Sequence, residues 1–212
     1  MIKHLLLFFL LLTTSLLKAQ DLGLQVAADY DTPLGEFAYK YQAVPAYRVD
    51  LLWFADDNDV VNLSIGYQSF KPKEDIFYYV LNDGEDYGTA SFSNYQVNPV
   101  YMGWMHTFSV TEPLQVGAGF NFGAYFSKYT STSNDKIRNS YESIGDLNAY
   151  LAAKAGVSYD LTSRFQLNCQ LKFNAFSPTG KNDARYAAFR DNRIGIFNYT
   201  WATGFGLAYK FF

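Results

Sequence analysis

Seven charged residues stand at alternate positions within regular segments of this chain: Asp29, Arg48, Asp50, Lys154, Arg164, Lys172 and Lys210. Acids and bases gathered on one face can line a path for ions. They can also pair with one another where water is scarce, because a buried charge needs a partner. His106 is the only histidine beyond the N-terminal segment, with Ser109 and Glu112 nearby in sequence. Histidine beside a hydroxyl and a carboxylate is the raw material of nucleophilic catalysis, yet their spacing singles out no nucleophile–base pair. Asp83, Gly84, Glu85 and Asp86 offer oxygens to a hard cation but follow no EF-hand spacing. Asn82-Asp83-Gly84 reads better as a hairpin turn between 76–81 and 87–92. The aromatics of that hairpin, Phe77, Tyr78, Tyr79, Tyr87 and Phe92, either stack on glycans or a partner or pack on each other. One cysteine, Cys169, and two histidines are too few for a thiolate or imidazole metal centre. No metal, cofactor or catalytic residue is expected.

The elements that position these groups are strands. The chain has 212 residues, 49% hydrophobic and 19% aromatic, enough for one sizeable folded domain and rich in strand-favouring Tyr and Phe. A formal charge of -3 leaves no footprint for nucleic acid. Residues 1–19 carry a basic start at Lys3, an apolar run from Leu5 to Leu12 and a small residue at Ala19, the layout of a secretory signal peptide. Its removal leaves 15 basic against 20 acidic residues, a charge of -5. The domain is then 20–212, and no later run has helix-spanning length.

Alternation fills that domain. From Phe197 to Phe211 every second residue is large and apolar or Thr, and those between are Asn, Thr, Ala, Gly or Lys. The same period of two marks segments around 22–30, 47–54, 61–68, 114–126, 147–159 and 164–174. The segment 94–109 is less regular: Val100, Met102, Trp104 and Phe108 suggest one face, His106 falls among them, and Pro99 suggests a bulge. The count is eight strands.

The polar faces are crowded with Gly, Ala and Ser, which water does not require but a narrow barrel interior does. The apolar faces carry aromatics towards their ends, as membrane interfaces favour. Apolar side chains therefore point outwards; a soluble sandwich with the faces exchanged is the rival. Connections alternate: 56–59, 110–113 and 160–163 are short, whereas about 31–42, 71–93, 127–145 and 177–194 are long. Short turns on one side and long loops on the other mark an outer-membrane barrel, with both termini on the short-turn, periplasmic side. The loop stretch Thr130–Asn134 reads as flexible and polar, and the fourth loop carries Lys181, Arg185, Arg190 and Arg193, a basic rim for lipopolysaccharide phosphates.

On these grounds the whole mature chain resembles the small eight-stranded outer-membrane β-barrel family, which includes OmpX and the OmpA transmembrane domain. Thr32–Phe37 resembles the first loop of such barrels. The resemblance implies an all-β, antiparallel, up-and-down transmembrane barrel. It also implies that Phe205, Leu207, Tyr209 and Phe211 form a signal for the barrel-assembly machinery, with Phe212 one residue out of register. Members of this group do many things, so fold alone does not assign a role. A non-enzymatic structural or interaction role through four long extracellular loops is expected, alone or as a subunit of a larger assembly. The expected partners are outer-membrane lipid, lipopolysaccharide, the assembly machinery and an unidentified membrane protein. A narrow channel and a lipid-modifying enzyme are the alternatives.

Overall fold

Each segment that alternates in sequence is a β-strand, and together they close a ring. The computed structural model describes residues 22–55, 58–81, 86–134, 139–177 and 198–211. The expected signal peptide, the Asn82-Asp83-Gly84 turn with Glu85, the basic residues of the fourth loop and Phe212 lie outside these residues. The elements are β1 (Leu22–Leu34), α1 (Gly35–Lys40), β2 (Val44–Phe54), β3 (Asp59–Phe70), β4 (Phe77–Leu81), β5 (Asp86–Phe92), β6 (Tyr95–Thr111), β7 (Leu114–Asn134), β8 (Asn139–Asp160), β9 (Phe165–Phe176) and β10 (Asn198–Lys210).

β1, β2, β3, β6, β7, β8, β9 and β10 pair antiparallel in that order, and β10 returns to β1. A single path of paired residues shows how the ring closes. It runs Leu24, Leu51, Leu63, Met102, Phe122, Leu151, Ala175, Tyr199 and arrives at Leu34. One circuit thus advances the register by ten residues, from Leu24 to Leu34. Eight strands with that shear tilt by roughly 43° and enclose a backbone radius of about 8 Å, room for side chains and little else.

Parity decides which side chains enter. On β1, Leu24, Val26 and Tyr30 are exposed and Gln25, Ala27, Asp29 and Asp31 are buried. On β10, Trp201, Phe205 and Leu207 are exposed and Thr200, Ala202 and Ala208 are buried. Large apolar residues point outwards on every strand of the ring, which only a lipid surround makes favourable. Among the described residues no helix is long and apolar enough to cross a membrane; the strands do so.

The structure changes three expectations and meets that of the hairpin. Thr130–Asn134 belongs to β7, which pairs with β8 without interruption from Leu114↔Tyr159 to Asn134↔Asn139. Above Phe126 and Leu147 the outward side chains are mostly polar or small, such as Lys128, Thr132, Ser143 and Gly145, with Tyr141 the exception, so this hairpin continues beyond the apolar belt. The hairpin of β4 and β5 forms at the expected place. β5 continues β6 along β7, with the five residues Phe92–Gln96 set against the four residues Lys128–Ser131. β4, by contrast, is separated from β3 by 71–76. Pro99 makes no bulge: the β3–β6 register is the same at Ile65↔Val100 and Gln68↔Val97. Gly66 leaves room for the Pro99 ring. The loop after β1 is mostly ordered chain, with β1 reaching Leu34 and α1 following.

Candidate functional site

The interior has three levels. At mid-height, Arg48 from β2 holds two carboxylates: Nη1 donates to Asp29 Oδ2 at 2.5 Å and Nε to Asp50 Oδ2 at 2.9 Å. Its Nη2 donates to Gln170 Oε1 at 3.0 Å. Lys172 Nζ donates to the same Asp29 oxygen at 2.5 Å. Lys154 and Lys172 stand opposite each other on β8 and β9, an arrangement in which like charges repel. They separate by reaching across the lumen to different partners, since Lys154 Nζ donates to Asn62 Oδ1 at 2.7 Å. Asp31 is buried as well. Among the described residues the buried charged side chains are three acids (Asp29, Asp31, Asp50) and three bases (Arg48, Lys154, Lys172).

Towards the short turns, amides carry the network on. Gln25 Nε2 donates to Asp50 at 2.7 Å, Asn168 Nδ2 to Gln25 at 2.7 Å, and Ser158 Oγ to Asn168 at 2.6 Å. A cavity of about 40 Å³ lies here, lined by Asn62, Met105, Asn121, Lys154 and Asn168 among others. It has room for a few water molecules. Near its mouth Lys210 Nζ donates to Asp160 at 2.9 Å, and Gln166 Nε2 to the same oxygen at 3.0 Å.

Towards the long loops, aromatic rings fill much of the lumen, with buried Asp31, Gln68, Asn174 and Thr200 among them. Tyr101 and Tyr150 lie with ring centroids 4.9 Å apart, and Phe176 packs on Tyr150 at 5.3 Å. Above them Phe37, carried by α1, contacts Tyr41, Phe70 and Tyr95 at centroid distances of 5.0, 4.9 and 5.6 Å. The peptide unit of Gly35, at φ +56, makes the turn that lets α1 bend over the mouth. Tyr150 Oη donates to Asn174 Oδ1 at 2.8 Å, tying this level to the polar one.

Six of the seven charged residues expected in the lumen are there. Arg164 is the exception. It precedes the first residue of β9, is exposed, and reaches Tyr209 Oη at 3.4 Å from outside the network. Parity marked it inward, but at the turn it no longer follows the strand. Asp31, Gln25, Asn62, Asn168 and Asn174 were not singled out in the sequence, although each has inward parity. The loop-end cluster was legible only in part, through the inward parity of Tyr125 and Tyr150.

His106 lies on the outer face, at the short-turn end. Its Nδ1 is 2.9 Å from Asp59 Oδ1, which also accepts from Trp104 Nε1 at 2.8 Å. Its ring meets Phe108 edge-on at 4.7 Å. This is an interfacial arrangement of an aromatic belt. On the β4–β5 hairpin, Phe77 packs on Phe92 at 5.4 Å while Tyr78 is exposed. Tyr79 and Tyr87 fall within those strands, and their side chains lie outside the description. Phe205, Leu207 and Phe211 face outwards; Tyr209 is half-buried between Phe165 and Phe211, at 5.1 and 5.6 Å.

No sequence family matches the chain, and no curated protein does. Solved structures do. Neisserial surface protein A (NspA) superposes with a TM-score of 0.52 at 11% identity, over 90% of this chain and 97% of that one. A major outer membrane protein from Thermus thermophilus gives 0.50 at 11%, over 90% and 98%. The chain has the fold of the small outer-membrane β-barrels. In this outer-membrane barrel the outward belt is the lipid surface. The charged level is the middle of the membrane-spanning ring. The α1 helix, the β4–β5 hairpin and the upper β7–β8 hairpin stand together at the long-loop end.

Proposed function

We propose that this protein is a non-enzymatic, closed barrel of the outer membrane that acts through its long-loop end, as a structural or interaction protein. Its lumen serves as a core. The observation that carries this reading is the stacking of two seals inside one ring: the Arg48–Asp29–Lys172 network and, beyond it, the aromatic cluster around Phe37 and Tyr150. An ion path needs continuous water. Here Arg48 and Lys172 are spent on Asp29 and Asp50, Lys154 on Asn62, and aromatic side chains fill much of the loop-side lumen. The loops face the cell exterior and both termini the periplasm. Outer-membrane lipid and lipopolysaccharide surround it, the barrel-assembly machinery inserts it by its C-terminal strand, and the exposed Tyr78 and Tyr39 are contact points for a partner. Planar-bilayer recording tests this: purified barrel is expected to give no steady unitary current, and regular openings that pass sugars would refute the closed-lumen reading. A lipid A mass spectrum from cells with and without the protein tests the enzyme alternative, with identical spectra expected.

A further inference from the structure

The cavity on the short-turn side of Arg48 is one-sided. Val60, Gln115 and Gln166 in its wall are the second residues of β3, β7 and β9, so it reaches the short-turn rim. At its other end Arg48 holds Asp29 and Asp50, and Tyr101 packs on Tyr150 beyond them. A solute entering from the short-turn end meets a pocket and no passage.

Polar atoms converge in this pocket. Gly103 on β6 is paired with Asn62 on β3 and with Asn121 on β7. A Cβ on Gly103 would lie within 3.0 Å of Asn121 Oδ1, Asn62 Oδ1 and Lys154 Nζ alike. Glycine therefore clears the space where two amide oxygens and an ammonium meet. The ammonium carries three N–H groups. Among the described residues Lys154 Nζ has one hydrogen-bond partner, the neutral Asn62 Oδ1. Asn121 Oδ1 accepts no hydrogen bond among the described residues, and neither does Asp50 Oδ1 in the same wall. Asp50, Asn121 and Lys154 are 3%, 2% and 7% exposed, so these groups are held ready in the interior of the barrel.

We propose that this pocket binds a small amino-acid zwitterion, of the size of glycine or alanine, from the short-turn side. Its carboxylate accepts from the two remaining N–H groups of Lys154, and its ammonium donates to Asp50 Oδ1 and Asn121 Oδ1. The lumen is then a ligand site below its seals as well as a core. Two arguments select this ligand. The first is size: a cavity of about 40 Å³ has the room of about three waters, which limits the ligand to about five non-hydrogen atoms. The second is charge. An anion alone would set its oxygens against two bare acceptors, and a cation alone would stand beside Lys154. Both are penalised where charges are buried. A zwitterion offers each sign to its opposite and brings no net charge into the barrel.

The test uses the full mature barrel, folded in nanodiscs of deuterated lipid, with empty nanodiscs as the blank. Saturation-transfer difference NMR reads the aliphatic protons of glycine, acetate and methylamine, which carry both groups, the carboxylate alone and the amine alone. Glycine is expected to saturate at about millimolar concentration, as suits so small a ligand. Acetate and methylamine should bind at least about tenfold more weakly, since each forfeits hydrogen bonds that involve a charged group. Lys154→Met and Asn121→Leu should each weaken glycine binding by about tenfold for the same reason, with the heat-modifiable gel shift unchanged. No glycine signal above the blank leaves the cavity to water and overturns the proposal. So does acetate or methylamine binding as strongly as glycine. A folded Lys154→Met or Asn121→Leu variant that binds glycine like wild type overturns it as well.

Discussion

Arg48 Nη1 lies 2.5 Å from Asp29 Oδ2, and both side chains are buried in the middle of the barrel. The same Asp29 oxygen takes Lys172, so one carboxylate neutralises part of two cations contributed by strands on either side of β1 and β10. A single substitution at Asp29 therefore strands Lys172 and leaves Arg48 with Asp50 alone.

Asp29→Asn is expected to destabilise the barrel by about 3–5 kcal/mol, the range for removing one partner of a buried ion pair. Adding Lys172→Met should recover part of that loss, because it removes one stranded charge. Urea unfolding in liposomes, followed by tryptophan fluorescence, measures the cycle. Strictly additive effects would show that the two residues do not interact.

Leu171 points into lipid near the middle of β9, and Lys172 beside it points into the lumen. Leu171→Arg should cost about 2–4 kcal/mol at the bilayer midplane. Refolding yield and urea midpoint in liposomes report it. A variant as stable as wild type would mean that the inner and outer faces are exchanged.

Glycine matters where the network presses on a strand. A Cβ added at Gly204 would fall on the Asp29 carboxylate, whereas at Gly145 the nearest atom is Ser127 O at 3.7 Å. Gly204→Ala should cost roughly 1–3 kcal/mol through overpacking, and Gly145→Ala close to nothing. Equal urea midpoints for the two variants would show that Gly204 does not make room for Asp29.

The outward aromatics of β10 bear on assembly. Tyr209 packs on Phe211 and on Phe165, beside the β1–β10 seam. The double replacement by Ala should lower the amount of heat-modifiable barrel in isolated outer membranes, with unfolded chain degraded in the periplasm. Deleting Phe212 should be milder. The reverse order of severity would place the recognition register one residue further on.

A period of two was enough to establish the strands, their faces and the count around the ring. Leu24 out and Gln25 in, or Trp201 out and Ala202 in, follow from alternation because a strand has only two faces and lipid accepts only one kind. Where alternation ceases to contrast apolar with polar, the reading weakens. Thr130–Asn134 alternates among polar residues, so it resembles a loop although backbone pairing with β8 makes it a strand. Arg164 has inward parity but sits at a turn, where the pleat no longer dictates direction. Sequence alone also left the charged residues as a set without partners. The shear of ten residues decided those, by setting β2 and β9 at the heights where Arg48 and Lys172 both reach Asp29, and by leaving Lys154 to Asn62. Closure of the ring is a long-range condition on all eight strands together, and no local pattern encodes which distant residues will meet inside it.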